Sequence, residues 1–280
     1  MSDSDKKNYW SMTEGVFNCL IDEDRTNFFK KAIINTVKSG DVVVDMGTGS
    51  GVLAMLAAEA GASKVYAIEI DENNTKILEK VFDLNGHGDK IKLIRGDVTE
   101  IAIPEPVDVI IGEMIATGLI EELQIPAMNN VLKYAKPNVR VVLSKYENYL
   151  DLVYNNNEYY GHKFQIMRYE YPDLDKLKSE PFSDRSLYSS VDFSVVNNDN
   201  FIEKELELLI TKNGNINGLR ISSKTIFYDE SEMWASFAYS YPIVLPIDEQ
   251  NVSVGDKFLC KISYELCGGF KDFSYSVLKI

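Results

Sequence analysis

Asp45 closes the β-branched run Val42-Val43-Val44, and three glycines alternate behind it in Gly47-Thr48-Gly49-Ser50-Gly51 before a helical pattern begins. That order reads as strand, tight turn, helix. Glycines permit left-handed backbone and let a ligand lie against bare peptide, while the helix beyond offers free N–H groups and the positive end of its dipole. Spacing separates the common ligands of such turns. A dinucleotide turn, G-x-G-x-x-G, needs its third glycine where Val52 stands, and a phosphate-cradling loop needs Lys then Ser or Thr after its last glycine. Neither is present. Glu69 ends a second apolar run, Val65-Tyr66-Ala67-Ile68, where a carboxylate can accept both hydroxyls of a ribose. Asp97 follows a third run and can accept from an adenine amino group, with the Val98 N–H beside it. A solvated acid or a helix cap is the plainer role for each, but both fall at the carboxyl edge of the expected sheet, where ligands bind.

The elements that position these residues alternate along the first half. Apolar residues at helical spacing from about residue 17 to 38 give way to Ser39-Gly40 before the first strand. Helices are expected over residues 52–60, 73–84 and 119–135, and further strands over 65–70, 91–94, 107–111 and 139–143. Alternation of this kind predicts an α/β fold, a doubly wound parallel sheet covered on both faces. From about Lys145 tyrosine, asparagine and serine become frequent. Six β-rich segments (192–196, 205–210, 219–223, 234–241, 257–266 and 273–280) are separated by turn signals such as Asn213-Gly214 and Gly268-Gly269. This half is expected to be an all-β barrel or sandwich.

Composition narrows the class of partner. The chain has 29 basic and 43 acidic residues, a formal net charge of -14, which repels a phosphate backbone and favours cationic or neutral ligands. Nucleic acid is therefore a disfavoured substrate. No apolar run approaches the roughly eighteen residues of a membrane span, and the polar start of the chain reads as neither span nor signal peptide. Three cysteines in no metal-binding spacing and only two histidines argue against a metal site and suit a reducing, cytoplasmic setting.

The D-x-G-x-G-x-G pattern at Asp45 resembles motif I of the class I methyltransferases, which bind S-adenosylmethionine, a sulfonium amino acid whose ammonium suits an acid beside a bare turn. The resemblance implies that Asp45, Gly47, Gly49, Gly51, Glu69, Asp97 and Val98 hold this cofactor. The segment Gly112-Glu113-Met114-Ile115-Ala116-Thr117-Gly118-Leu119-Ile120-Glu121-Glu122 narrows it further. Protein arginine methyltransferases carry two glutamates at the same separation as Glu113 and Glu122, a double-E loop that clamps the substrate guanidinium, which implies a catalytic role for both. Residues 20–26 resemble the segment in which that family's arginine pairs with the cofactor carboxylate, here Arg25. Tyr9-Trp10 resembles the start of its aromatic lid, and residues 61–69 also read like the family.

Departures are visible as well. The loop starts Gly-Glu-Met-Ile-Ala where the family has Ser-Glu-Trp-Met-Gly. Its Thr-His-Trp motif falls at Glu232-Met233-Trp234 without the histidine, and the lid has Trp10 and Met12 where many members have tyrosine and histidine. Glu121 competes with Glu122, since both would also serve as an acidic first turn of a helix, and Arg25 has an alternative i,i+3 pairing with Asp22.

The resemblance implies three regions: a helical lid at 1–40, a Rossmann-like cofactor domain at 41–144 and a β-barrel substrate domain at 145–280. It implies N-methylation of a guanidinium or other cationic amine on a protein or small molecule, leaving S-adenosylhomocysteine. The alternatives are a different small-molecule nucleophile or a non-catalytic binding module. A homodimer formed through an arm at 173–182 is a further expectation.

Overall fold

The structure, a computed structural model, describes residues 13–172, 174–175 and 178–280. The lid residues Tyr9, Trp10 and Met12 and part of the expected arm lie outside these. The first apolar stretch forms two helices, α1 (Thr13–Ile21) and α2 (Glu23–Thr36), broken at Asp22. Asp22 is extended (φ -72, ψ 92) and its carboxylate accepts from the Arg25 backbone N–H, so a helix cap divides what periodicity alone reads as continuous.

Five strands follow: β1 (Val42–Met46), β2 (Lys64–Glu69), β3 (Ile91–Arg95), β4 (Val107–Gly112) and β5 (Ala135–Val141). They form one parallel sheet in the order β3-β2-β1-β4-β5. Helices α3 (Val52–Glu59), α4 (Glu72–Leu84) and α5 (Gln124–Val131) make three of the four connections, and a helix-free loop joins β3 to β4. Val43, Val44, Ala67, Ile68 and Val109 are fully buried, as expected of strands covered on both faces. Winding reverses between β1 and β4, and the carboxyl ends of those two strands therefore frame a crevice at the switch point.

The helix expected over 119–135 is much shorter. Leu119 and Glu122 have left-handed φ of 53° and 57°, which stops a helix before Gln124, and β5 already begins at Ala135 rather than 139. A single 3-10 turn, Thr117–Leu119, precedes the break.

The second half contains β6 (Leu143–Tyr154), β7 (Ser186–Asp192), β8 (Phe201–Leu209), β9 (Gly214–Phe227), β10 (Ile243–Val252), β11 (Lys257–Glu265) and β12 (Ser274–Lys279). All pair antiparallel, in two sheets. Strands β6, β7, β9 and β10 join three two-residue strands in one, and β8-β11-β12 form the other. Among the described residues the pairing forms two sheets and no closed ring, the sandwich form of the expected barrel or sandwich, over a shared apolar core that includes Leu219, Ile221, Phe258 and Ile262. The strand expected at 192–196 lies earlier, as β7. Only Glu232–Met233 is strand near the expected 234–241, because residues 236–239 bend into a tight turn with Ser236 and Tyr239 bonded to each other. Glu180–Pro181, within the expected arm, pairs with β6.

Candidate active site

The turn after β1 is built as its composition suggests. Gly47, Gly49 and Gly51 have φ of 60°, 54° and 81°, all left-handed. The first two keep the turn low. A Cβ on Gly47 would press on Met114 Cγ at 3.1 Å, and one on Gly49 would only touch Val16 at 3.6 Å. Gly51 serves packing, since a Cβ there would come within 2.5 Å of the Phe82 ring of α4. Asp45 is buried. Its Oδ2 accepts from the Thr48 hydroxyl at 2.6 Å, while Oδ1 has no hydrogen-bond partner among the described residues. Burial pushes the Asp45 carboxyl up to about 6, against the pull of the Thr48 hydroxyl and the Arg25 charge. An orphaned acceptor at a bare turn invites a ligand cation.

Glu69, at the end of β2, is also buried. Its Oε2 accepts from the Gly49 N–H and its Oε1 from the Asp71 N–H, each at 2.8 Å. The side chain thus ties the glycine turn to the neighbouring strand end, and burial raises its carboxyl above the usual range. Asp97 caps its own turn, with Oδ1 accepting from the Thr99 N–H and hydroxyl at 2.9 and 2.7 Å. Val98 is buried, and its carbonyl accepts from Asn130 Nδ2 at 2.9 Å.

Arg25 and Glu113 meet. Glu113 follows directly on β4, whose last residue Gly112 (φ 148°) lies so close to β1 that a Cβ would stand 2.7 Å from Met46 Cβ. Arg25 Nε and Nη2 both donate to Glu113 Oε2, at 3.0 and 2.5 Å, and the two side chains are only 6% and 8% exposed. Nη1 donates to the Cys19 carbonyl at 3.2 Å, and the guanidinium lies 5.2 Å over the Phe29 ring. The alternative pairing with Asp22 is not formed through the side chain. Asp22 instead accepts from the Arg25 backbone N–H at 3.0 Å and, across the molecule, from the Ser236 hydroxyl and Ala238 N–H at 2.6 and 2.7 Å. Sequence reasoning named Asp22 only as a possible side-chain partner of Arg25, and it did not single out Ser236 or Ala238.

Glu122 lies on a loop held from outside. The carbonyls of Gly118, Leu119 and Ile120 accept from the Tyr264 hydroxyl, Cys267 N–H and Gly269 N–H at 2.8, 2.7 and 2.8 Å, all from the β11–β12 hairpin region. The Gly118 N–H donates to the Ser223 hydroxyl at 3.0 Å. These bonds sustain left-handed Leu119 and Glu122, a conformation costing roughly 1 kcal/mol or more per residue. Because α5 starts at Gln124, Glu121 and Glu122 do not form its first turn. Gln124 turns its Oε1 back to the Met114 N–H at 3.0 Å. Glu122 keeps some surface exposure yet is deeply surrounded by protein atoms. Its carboxyl is pushed up from 4.5 to about 8, by burial first and then by the Glu113 and Glu121 charges, with Arg25 pulling the other way. The two glutamates are therefore electrostatic neighbours.

A parallel sheet with this switch-point crevice, joined to an antiparallel β half, is the fold of the protein arginine methyltransferases. The chain matches the arginine methyltransferase 10 of Arabidopsis thaliana with a TM-score of 0.77 over 98% of this chain and 99% of the other, at 18% identity. It matches the Trypanosoma brucei PRMT1 enzyme-prozyme complex with AdoHcy at 0.76 over 97% and 98%, also at 18% identity. Residues 25–145 match the family model for ribosomal protein L11 methyltransferase (PrmA). A histone-arginine methyltransferase, CARMER of Drosophila persimilis, is 34% identical over 174 residues, 61% of this chain but 27% of that protein's length. The chain is thus a class I, S-adenosylmethionine-dependent methyltransferase resembling the arginine methyltransferases. More narrowly, it belongs to one family with uncharacterized protein MJ1452 of Methanocaldococcus jannaschii, at 32% identity over 84% of this chain and 86% of that protein.

Proposed function

We infer that this protein methylates a nitrogen of a guanidinium or another cationic amine, on a protein or a small molecule. What supports the reading is that Glu113, buried against Arg25 just after β4, lies near enough to Glu122 for its charge to help raise the Glu122 carboxyl. Asp45, Glu69, Arg25, Asp97 and the Val98 backbone are the groups that would hold S-adenosylmethionine, and the orphaned Asp45 Oδ1 fits its ammonium. When bound, the cofactor supplies an electrophilic methyl on a sulfonium.

The chain's own residues supply the rest. A guanidinium is protonated at any ordinary pH, its pKa lying above about 12, so its nitrogen is a poor nucleophile. Two carboxylates gripping the planar fork hold it and draw charge away from the attacking nitrogen. Placing that nitrogen against the methyl carbon supplies most of the rate. A new N–C bond replaces the sulfur–methyl bond, and the nitrogen sheds a proton. In the empty site Glu122, pushed up to about 8, holds a proton at neutral pH; an incoming guanidinium displaces that proton, and the freed carboxylate can then take one from the methylated nitrogen. The site's acidity and the chain's net charge of -14 favour a cationic acceptor over nucleic acid.

Titration calorimetry with S-adenosylmethionine tests the cofactor half. Wild type is expected to bind and Glu69→Ala to bind far more weakly. Radiolabelled methyl transfer to arginine-rich peptides, lysate proteins and guanidino metabolites tests the acceptor half. Label that appears in RNA, or that survives Glu113→Gln unchanged, rejects the reading.

A further inference from the structure

Arg25 is read as a cofactor ligand, yet in this structure its guanidinium is spent on Glu113. The pair spans 88 residues of sequence and is nearly sealed from solvent. Nε and Nη2 grip one carboxylate oxygen, and Nη1 grips the Cys19 carbonyl. A guanidinium has five N–H donors. Three are used here, which leaves one on each terminal nitrogen for a second carboxylate. The arginine backbone is not free to retreat, because Asp22 fixes it at the start of α2 and is itself clamped by Ser236 and Ala238 of the β half. The second oxygen of Glu113 is occupied by the Ile115 N–H at 3.1 Å.

We propose that Arg25 is a positioning residue shared between the two substrates: it holds Glu113 out of use until a ligand carboxylate draws on the same guanidinium and releases Glu113 toward the acceptor. This rests on the reading that S-adenosylmethionine binds at the β1 turn. The chemistry is competition between two anions for one buried cation. Each carboxylate weakens the grip on the other, so cofactor and acceptor bind with positive coupling, and the coupling is reciprocal. Glu113 consequently opposes binding of the cofactor's carboxylate end even though it lies on the acceptor side.

The test uses calorimetry with two ligands on the full chain. S-adenosylhomocysteine carries the amino-acid carboxylate, and 5′-methylthioadenosine lacks it. Glu113→Gln is expected to tighten S-adenosylhomocysteine by threefold or more and to change 5′-methylthioadenosine less than twofold. Arg25→Gln is expected to weaken the first ligand at least tenfold and spare the second. In the double variant the glutamine at 113 should add nothing, because the shared cation is gone. Binding of both ligands with no tightening by Glu113→Gln, or additive effects in the double variant, overturns the sharing and leaves the cofactor site standing. No binding of either ligand to wild type overturns the cofactor reading and this proposal with it. Should Glu113→Gln fail to fold, judged by lost 5′-methylthioadenosine binding and near-ultraviolet dichroism, Glu113→Asp replaces it. A shorter carboxylate loosens the contact, and unchanged S-adenosylhomocysteine affinity then counts against the proposal.

Discussion

Replacing Glu122 with glutamine should stabilise the ligand-free protein at pH 8 and leave it nearly unchanged at pH 5. The carboxyl has its pKa pushed up from 4.5 to about 8 on folding, by burial and by the Glu113 and Glu121 charges. A raised acid pKa means that the folded state binds the proton more tightly than the unfolded chain. Stability is therefore lost as pH rises from about 4.5 and stops falling once pH passes about 8. Each pH unit between the two values weighs about 1.4 kcal/mol. Between pH 5 and 8 the penalty thus grows by about 3 to 4 kcal/mol as a ceiling. Solvent screening at this partly exposed residue brings the expected gain to about 1 to 2 kcal/mol. At about 2 to 4 °C per kcal/mol for a chain of this size, Glu122→Gln should melt roughly 3 to 6 °C above wild type at pH 8. Scanning calorimetry of both proteins at pH 5, 6.5 and 8 reads this directly. An equal melting difference at every pH refutes the electrostatic account, and a less stable variant at pH 8 shows that Glu122 makes a favourable ionic contact instead.

Three further outcomes are expected. Gly112→Ala forces a Cβ to within 2.7 Å of Met46 Cβ, at a backbone φ of 148°, and should lower the urea midpoint by about 1 to 3 kcal/mol of stability; an unchanged midpoint means that β1 and β4 can part at no cost. Arg220→Met strands Asp151 and Glu170, which the guanidinium holds at 2.6 and 3.0 Å, and should cost about 3 to 5 kcal/mol in chemical denaturation; adding Asp151→Leu should recover part of that loss. Tyr160, Ile166 and Leu174 are 98%, 62% and 52% exposed on one stretch of chain, so if this stretch mates with a second copy, Ile166→Glu should halve the mass seen by light scattering; unchanged mass removes the stretch from the interface.

The parallel sheet was legible because its cues are local. β-branched runs, capping residues and glycine turns act within a few residues of themselves, and the carboxyl edge of such a sheet is where ligands go whatever the chain does later. What misled the reading was also local logic. Residues 119–135 carry helical spacing, but the break at Leu119 and Glu122 is imposed by Tyr264, Cys267 and Gly269, whose contribution no short window contains. The choice between barrel and sandwich stayed open in the sequence for a related reason, since alternation predicts strands but not which edges meet.

By itself the sequence determined the alternation of elements, the bare turn after Asp45 and the acidic strand ends at Glu69 and Asp97, each set by propensity and spacing. Only the tertiary structure decided what Arg25 does. Its partner Glu113 is 88 residues away, and the Ala238 N–H that secures its cap is 216 residues from Asp22. A buried cation takes whichever carboxylate the fold brings nearest, and that choice is made by the packing of the β half against α1 and α2, which no local pattern encodes.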